Sequence, residues 1–330
     1  MRKPIRIIKA GEIKQHYSMQ KAINAMHRAF SSLSSGESFA PLRYVSKLPS
    51  DEMLMLFKPA YVEKEKRVSV KFLTQKENSL IPGIPTIQGI VLLIDVETGE
   101  ILSIMDGEYL TALRTGAASG LATRCFARKN SETIALFGCG AQGRTQLEAV
   151  ICEREIKKIL IFDKCREIAD RFINEMREKL QIEMVYTEDT SLLKEADIIC
   201  TATNSTEPLF KMEELKRGVH INAIGSFQPQ MQEIEPYIVR GAKVYVDQID
   251  SSLKESGDLI KPIKEGIINQ NHIVGEIGDF CLNKIEGREW EDEITLFKSV
   301  GVAVQDFAVA TDIYNDALKK NFGQDIRLFE

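Results

Sequence analysis

The segment Phe137-Gly138-Cys139-Gly140-Ala141-Gln142-Gly143 has the spacing G-x-G-x-x-G, directly after an apolar run and before a helix-compatible stretch from Arg144. That pattern suits the pyrophosphate of a dinucleotide. Gly138 permits a tight turn, Gly140 lets the backbone approach the phosphates, and Gly143 allows close packing of helix on strand. Ala141 and Gln142 complete the loop, and the helix start offers free N–H groups to an anion. A glycine-rich turn of no function is the alternative, which the strand before and the helix after argue against. Asp163 follows Gly143 by about twenty residues, the usual interval for an acid that accepts hydrogen bonds from the adenine-ribose hydroxyls. Its charge repels a ribose 2'-phosphate and favours NAD, although Lys164 and Arg166 beside it keep NADP possible. A strand-end turn residue is the alternative role.

Three basic residues lie in apolar or small-residue settings: Arg43 in Pro-Leu-Arg-Tyr-Val, Lys71 in Val-Ser-Val-Lys-Phe-Leu, and Arg114 in Leu-Thr-Ala-Leu-Arg-Thr-Gly-Ala-Ala-Ser-Gly. A guanidinium binds a carboxylate bidentately, and a lysine among apolar neighbours suits proton transfer. On spacing alone, solvent-facing strand residues or structural ion pairs account for each of them better.

The elements that must position these groups fall into two patterns. Between about residues 133 and 248, near-continuous apolar runs (133–138, 158–163, 196–203, 220–225 and 243–247) alternate with helix-like stretches. Such runs predict a parallel sheet covered on both faces, a doubly wound Rossmann α/β domain. Before residue 115 the spacing predicts a helix over 18–34 and alternating strands over 68–73, 89–95 and 101–106, hence an α+β, largely antiparallel region. Glu97 and Thr98 before Gly99 read as the hairpin turn between the last two strands. A last helix over about 299–320 repeats apolar residues at helical spacing and is expected to complete the first region. The expected domains are 1–117 with about 309–330 for substrate binding and dimerisation, and 118–308 for the dinucleotide.

Composition narrows the partners. The chain has 330 residues, 44% of them hydrophobic and 28% charged, enough for a substantial core in about two domains. No run of about 18 apolar residues and no signal-like start occurs, so a cytoplasmic protein without a membrane partner is expected. Six cysteines without a C-x-x-C pair and four scattered histidines predict free thiols and no metal. A net charge of -5 argues against nucleic acid and leaves a small molecule as the expected partner.

Several segments together resemble the ornithine cyclodeaminase/mu-crystallin family over nearly the whole chain. They are Phe-Lys-Pro-Ala-Tyr (57–61), Val-Lys-Phe (70–72), Met-Asp-Gly (105–107), Thr-Ala-Leu-Arg-Thr-Gly-Ala-Ala-Ser (111–119), the glycine loop, Ile-Asn-Ala-Ile-Gly-Ser (221–226), Leu-Lys-Glu-Ser-Gly-Asp (253–258) and Leu-Phe-Lys-Ser-Val-Gly-Val-Ala-Val-Gln-Asp (296–306). The resemblance implies that Arg43, Lys71 and Arg114 surround a substrate carboxylate, with Arg114 as clamp and Lys71 as proton donor. It also implies a homodimer through the N-terminal sheets. By the same resemblance Thr201, Thr203 and Asn204 border the nicotinamide ribose, and Gly225 and Ser226 its ring, structural turn duty being the alternative.

Cyclodeaminases of the family carry an aspartate two residues after the glycine matching Gly225, where this chain has Phe227 followed by Gln228. Their glutamate before the Pro-Ala segment is also missing, the stretch reading Leu54-Met55-Leu56-Phe57. An apolar wall cannot orient a distal ammonium as a carboxylate does, which leaves Asp247 or Asp258 to take over that task. Mu-crystallin-like reductases of the family also lack that aspartate and reduce cyclic imino acids, so the resemblance implies nicotinamide-dependent reduction of a cyclic imino acid, a ketimine such as pyrroline-2-carboxylate, to proline, with Phe227 lining the substrate. The alternatives are an ornithine cyclodeaminase with catalytic NAD, an alanine-dehydrogenase-like oxidoreductase, and a non-catalytic mu-crystallin-like binding protein.

Overall fold

The computed structural model describes residues 3–48, 53–76 and 85–328. The chain forms two compact units, Met1–Arg114 with Val302–Glu330, and Thr115–Gly301. The sequence placed the boundaries at 117/118 and 308/309. The second moves because the last helix, Ala303–Lys320, packs on the helix Met19–Ser34 and on the first unit's sheet, so it belongs there from its first turn. The outermost ends of that unit, residues 1–2 and 329–330, lie outside the described residues.

The first unit is built on strands β1 (Ile5–Ile8), β2 (Ser38–Phe39), β3 (Tyr44–Lys47), β4 (Met53–Val62), β5 (Arg67–Lys76), β6 (Ile87–Asp95) and β7 (Ile101–Asp106), with the last strand of the chain, β16 (Gln324–Ile326). The sheet order is β16-β1-β7-β6-β5-β4-β2, with β3 also paired to β4. All pairings are antiparallel except β1 with β7. The expected turn joins β6 to β7: Asp95 Oδ1 accepts from the backbone N–H of Glu97 and Thr98, and Gly99 takes the positive φ of 73°. Alternation sorts the long strands into two faces. Leu56, Lys58, Ala60 and Val62 of β4 and Ser69, Lys71 and Leu73 of β5 are buried, and the helix Ala303–Lys320 packs on these strands. The other face is apolar yet partly open. Tyr44, Phe57 and Phe72 form a run of ring contacts across β3, β4 and β5, and Tyr44 is 65% exposed.

The second unit carries β8 (Thr133–Phe137), β9 (Lys158–Phe162), β10 (Glu183–Tyr186), β11 (Ile198–Thr201), β12 (His220–Ala223), β13 (Lys243–Val246), β14 (Ile273–Glu276) and β15 (Thr295–Lys298). They form a parallel sheet in the order β10-β9-β8-β11-β12-β15-β13-β14. The first five give the Rossmann half, with the reversal of order beside β8 where dinucleotides bind. Both faces are covered. Ile134, Leu136, Ile159 and Ile161 face one core with Leu147, Phe172 and Met176 of the helices Ala141–Glu153 and Arg166–Leu180, while Ala135, Phe137, Leu160 and Phe162 face the other. Two-sided burial explains why these strands read as continuous apolar runs. The six cysteines are free, and no described helix is long and apolar enough to cross a membrane.

Candidate active site

Lys58 and Lys71 stand directly opposite each other on β4 and β5, on the buried face of the first sheet. Thr111 and Arg114 are spaced i, i+3 on the helix Gly107–Phe126, and so share one of its faces. The Lys71 ammonium donates to Asp306 Oδ1 at 2.7 Å and to Thr111 Oγ1 at 3.2 Å. Arg114 donates through Nε to the same Asp306 oxygen at 3.1 Å, and through an outer nitrogen to Gln305 Oε1 at 3.1 Å. Asp306 lies in the first turn of the helix Ala303–Lys320, where the helix dipole favours an anion. Gln305 Oε1 also accepts from the Val302 N–H at the helix start, which fixes the amide. Arg43, half-buried just before β3, completes the charges that act on the two lysines.

Three basic side chains, Lys58, Lys71 and Arg114, thus act on the Asp306 carboxylate, while Arg43 acts on the two lysines, and the titrations follow. Burial, with the Arg114 charge, lowers the Lys71 ammonium to about 7 despite the opposing pull of Asp306. Burial and the charges of Arg43, Lys71 and Arg114 push Lys58 well below the ordinary lysine range. Burial alone would raise the Asp306 carboxyl, yet the Lys71, Arg114 and Lys58 charges hold it below its usual value. Asp306 Oδ2 and Gln305 Nε2 are buried and meet no hydrogen-bond partner among the described residues. Buried basic groups beside an unfilled acceptor and an unfilled donor suit a small anion that also carries an N–H.

The second unit holds the glycine loop. Gly138 has φ of 99°, and a Cβ there would lie 2.6 Å from the Ala202 carbonyl oxygen. A Cβ on Gly143 would lie 2.3 Å from the Gly138 oxygen, whereas one on Gly140 would meet nothing within 4 Å. Gly140 caps the helix Ala141–Glu153 without any side-chain bond, leaving its first N–H groups for a phosphate. Ala141 is exposed and Gln142 half-buried at that helix start. These features fit a dinucleotide pyrophosphate. Asp163 lies immediately after β9, half-buried, and accepts from the backbone N–H of Cys139 at 2.8 Å and of Cys165 at 3.0 Å. Its carboxylate thus ties the glycine loop to the second strand. Arg166 is turned to Asp170 and the Tyr186 ring, and Lys164 is exposed.

The residues expected around the nicotinamide converge on Glu233, which the sequence reading did not single out. Glu233 accepts from Thr201 Oγ1 (2.8 Å), Thr203 N (2.7 Å), Thr203 Oγ1 (2.8 Å), Gly225 N (2.7 Å) and Ser226 N (3.1 Å). The Thr201 and Thr203 hydroxyls are thereby committed to the scaffold, and Asn204 is exposed beside them. A Cβ on Gly225 would lie 2.3 Å from both Glu233 and the Thr203 oxygen, so only glycine fits. Phe227 follows, half-buried. Asp258 accepts from Lys298 and from the Glu233 and Ile234 N–H groups, and Asp247 from Ser299, Val300 and Gly301. Both aspartates are buried and engaged in these bonds.

In the first unit, sequence reasoning missed Lys58, Thr111, Gln305 and Asp306. All four lie within segments that carried the family resemblance, and Lys58 keeps the two-residue spacing of the apolar positions of β4. No local signal distinguishes a buried lysine in an alternating strand from an exposed one.

A Rossmann sheet with an open glycine loop, and a separate buried cation cluster around one aspartate, define a dinucleotide-dependent enzyme acting on a small carboxylate. The ornithine cyclodeaminase/mu-crystallin family model matches residues 5–321, and the chain belongs to that family. It is 38% identical over 322 residues to the Delta(1)-pyrroline-2-carboxylate reductase of Bacillus cereus, covering 97% of this chain and 99% of the relative. The structure of the Thermococcus litoralis Delta(1)-pyrroline-2-carboxylate reductase in complex with NADH and L-proline superposes with a TM-score of 0.94 at 36% identity, covering 98% of this chain and 100% of that one. An archaeal alanine dehydrogenase dimer with bound NAD gives 0.91 at 32% identity, covering 98% and 99%.

Proposed function

We propose that this protein reduces a cyclic ketimine carrying a 2-carboxylate, Δ1-pyrroline-2-carboxylate foremost, to the cyclic amino acid with NADH. The observation that carries the reading is the cluster of Lys58, Lys71 and Arg114 around the Asp306 carboxylate, with Arg43 acting on the two lysines and with Asp306 Oδ2 and Gln305 Nε2 buried and meeting no hydrogen-bond partner among the described residues. The similarity to pyrroline-2-carboxylate reductases of nearly equal length supports the same substrate class.

Arg114 and Arg43 hold the substrate carboxylate, and Gln305 Nε2 supplies a further donor. Asp306 Oδ2 accepts the N–H of the protonated imine, which fixes the face that the C=N carbon presents. The proton of that N–H comes from Lys71, since an ammonium lowered to about 7 matches the task of a donor at neutral pH. Thr111 and Asp306 hold that ammonium in place. Gly138, Gly140, Gly143 and the helix start at Ala141 hold the dinucleotide, and Asp163 favours NADH by repelling a 2'-phosphate. When bound, the reduced nicotinamide supplies the hydride that the imine carbon receives. Phe227 stands where the cyclodeaminases of the family carry an aspartate, so that position offers no carboxylate to a distal ammonium, and the structural commitment of Asp247 and Asp258 likewise weighs against ornithine cyclodeamination.

The open apolar face bearing Tyr44, Phe57, Phe72 and Ile90 supports a homodimer formed by covering that sheet with a second copy. Free thiols and nicotinamide chemistry support a cytoplasmic setting.

The test mixes purified protein with pyrroline-2-carboxylate and NADH or NADPH and follows loss of the reduced cofactor, beside an assay of ornithine and NAD for ammonia. Rapid NADH oxidation with no ammonia is the expected result. Ammonia and proline from ornithine without net NADH would refute the reductase reading. Full turnover by Lys71→Ala would remove Lys71 as the proton donor.

A further inference from the structure

Lys58 takes no part in the reaction derived above, yet it occupies the same cluster. It lies opposite Lys71 in register and is only 4% exposed, between Leu56 and Ala60 on the buried face of β4. The cluster's carboxylate gives one oxygen to both Lys71 and Arg114. A further buried positive charge beside these is costly, and a lysine relieves that cost by losing its proton where an arginine cannot. Burial comes first among the causes that lower Lys58, followed by the charges of Arg43, Lys71 and Arg114, with Asp306 opposing. These causes favour the uncharged amine, and the groups acting on it include two guanidiniums suited to a carboxylate. Such an amine is the nucleophile for a carbonyl placed next to that carboxylate.

We propose that Lys58 forms an imine with the 2-oxo group of an open-chain 2-oxo acid whose carboxylate is held by Arg43 and Arg114, so that the site accepts the ring-opened form of its cyclic substrate. The inference rests on the carboxylate reading given above. A cyclic ketimine adds water across C=N and opens to an amino 2-oxo acid, so both forms coexist in water. The Lys58 Nζ lone pair forms a bond to C2, the carbonyl oxygen takes a proton from Lys71, and Lys71 recovers one from the nitrogen, giving a carbinolamine. A second proton from Lys71 lets the hydroxyl leave as water. Lys71 then regains a proton as the nitrogen becomes the imine. One amine and one ketone thus give one imine and one water, with no change of oxidation state. The substrate's own distal amine adds to the same carbon and displaces Lys58, which departs as the free amine and leaves the ring-closed ketimine.

The experiment treats the full chain with pyruvate, a 2-oxo acid lacking an amine, and sodium borohydride, then maps the modified peptide by mass spectrometry. The expected result is one carboxyethyl group on Lys58. Butanone, which lacks the carboxylate, is expected to give none, and labelling of this peptide is lost in Lys58→Met. Absence of an adduct overturns the proposal, as does an adduct on Lys71 or one spread equally over exposed lysines such as Lys64. Mapping the unaltered protein decides the matter even where a variant folds poorly. Reduction of pyrroline-2-carboxylate by NADH is measured on the same preparation. Full reduction without an adduct refutes the role of Lys58 alone, whereas an adduct without reduction refutes the reductase reading.

Discussion

Replacing Asp306 by asparagine keeps the shape of the side chain and removes the negative charge that Lys71 and Arg114 share. Its Oδ1 accepts from them at 2.7 and 3.1 Å, and all three side chains are at most 6% exposed. Opposite unit charges about 4 Å apart contribute about 4 kcal/mol at an effective dielectric of about 20. Removing one partner of a buried pair costs about 3 to 5 kcal/mol. Urea unfolding at pH 6, where Lys71 of the parent is protonated, is expected to show a lower midpoint in Asp306→Asn, with the loss reduced below that figure as far as the variant's Lys71 has given up its proton. The folded-state value of Lys71, about 7, is below the ordinary lysine value of 10.5, so the unfolded chain binds more protons between them and stability rises with pH across that window. In the variant Lys71 loses its proton at lower pH, so the deficit shrinks as pH rises. Reduction needs protonated Lys71, so kcat for the imine falls as pH rises through about 7 in the parent. In Asp306→Asn that limb moves down by about 1 to 3 pH units. An unchanged urea midpoint at pH 6, together with a pH–rate limb that has not moved, would refute this account of the cluster.

Arg114→Lys keeps the charge but loses the planar fork, and is expected to raise KM for the imine about 10- to 100-fold with a smaller effect on kcat, read by initial rates. Gly140→Ala enters open space, so Tm stays constant while dinucleotide binding, followed by fluorescence titration, weakens about tenfold. Gly143→Ala instead meets the Gly138 oxygen at 2.3 Å and is expected to cost about 1 to 3 kcal/mol of stability in thermal unfolding. Asp163→Ser is expected to raise the NADPH-to-NADH ratio of kcat/KM about tenfold by removing the charge opposed to a 2'-phosphate, and an unchanged ratio would assign Asp163 to loop anchoring alone.

The parallel sheet was legible because its strands are buried on both faces, so Ile134 to Phe137 and Ile159 to Phe162 carry an apolar signal that needs no partner to be read. The glycine loop was legible for a related reason. Gly138 and Gly143 answer local demands, a positive φ and a close backbone approach, which act within a few residues. Helix ends were less so: the last helix starts at Ala303 rather than near 299, since Gly301 with φ of 82° ends the extended segment before it.

Residue types and spacing by themselves determined the Rossmann pattern, the pyrophosphate loop, the acid after the second strand and the antiparallel character of the first region. They also marked Arg43, Lys71 and Arg114 as basic residues in apolar settings, for which solvent-facing and ion-paired roles remained open. Only the tertiary structure decided that Lys71 and Arg114 share one oxygen of Asp306, 235 and 192 residues away along the chain. It also decided that Lys58 joins them and that Thr201, Thr203, Gly225 and Ser226 answer to Glu233. The physical reason is that a charge's chemistry depends on its desolvation and its through-space neighbours. Those are set by which strand pairs with which and which helix covers them, and no local stretch of sequence encodes either.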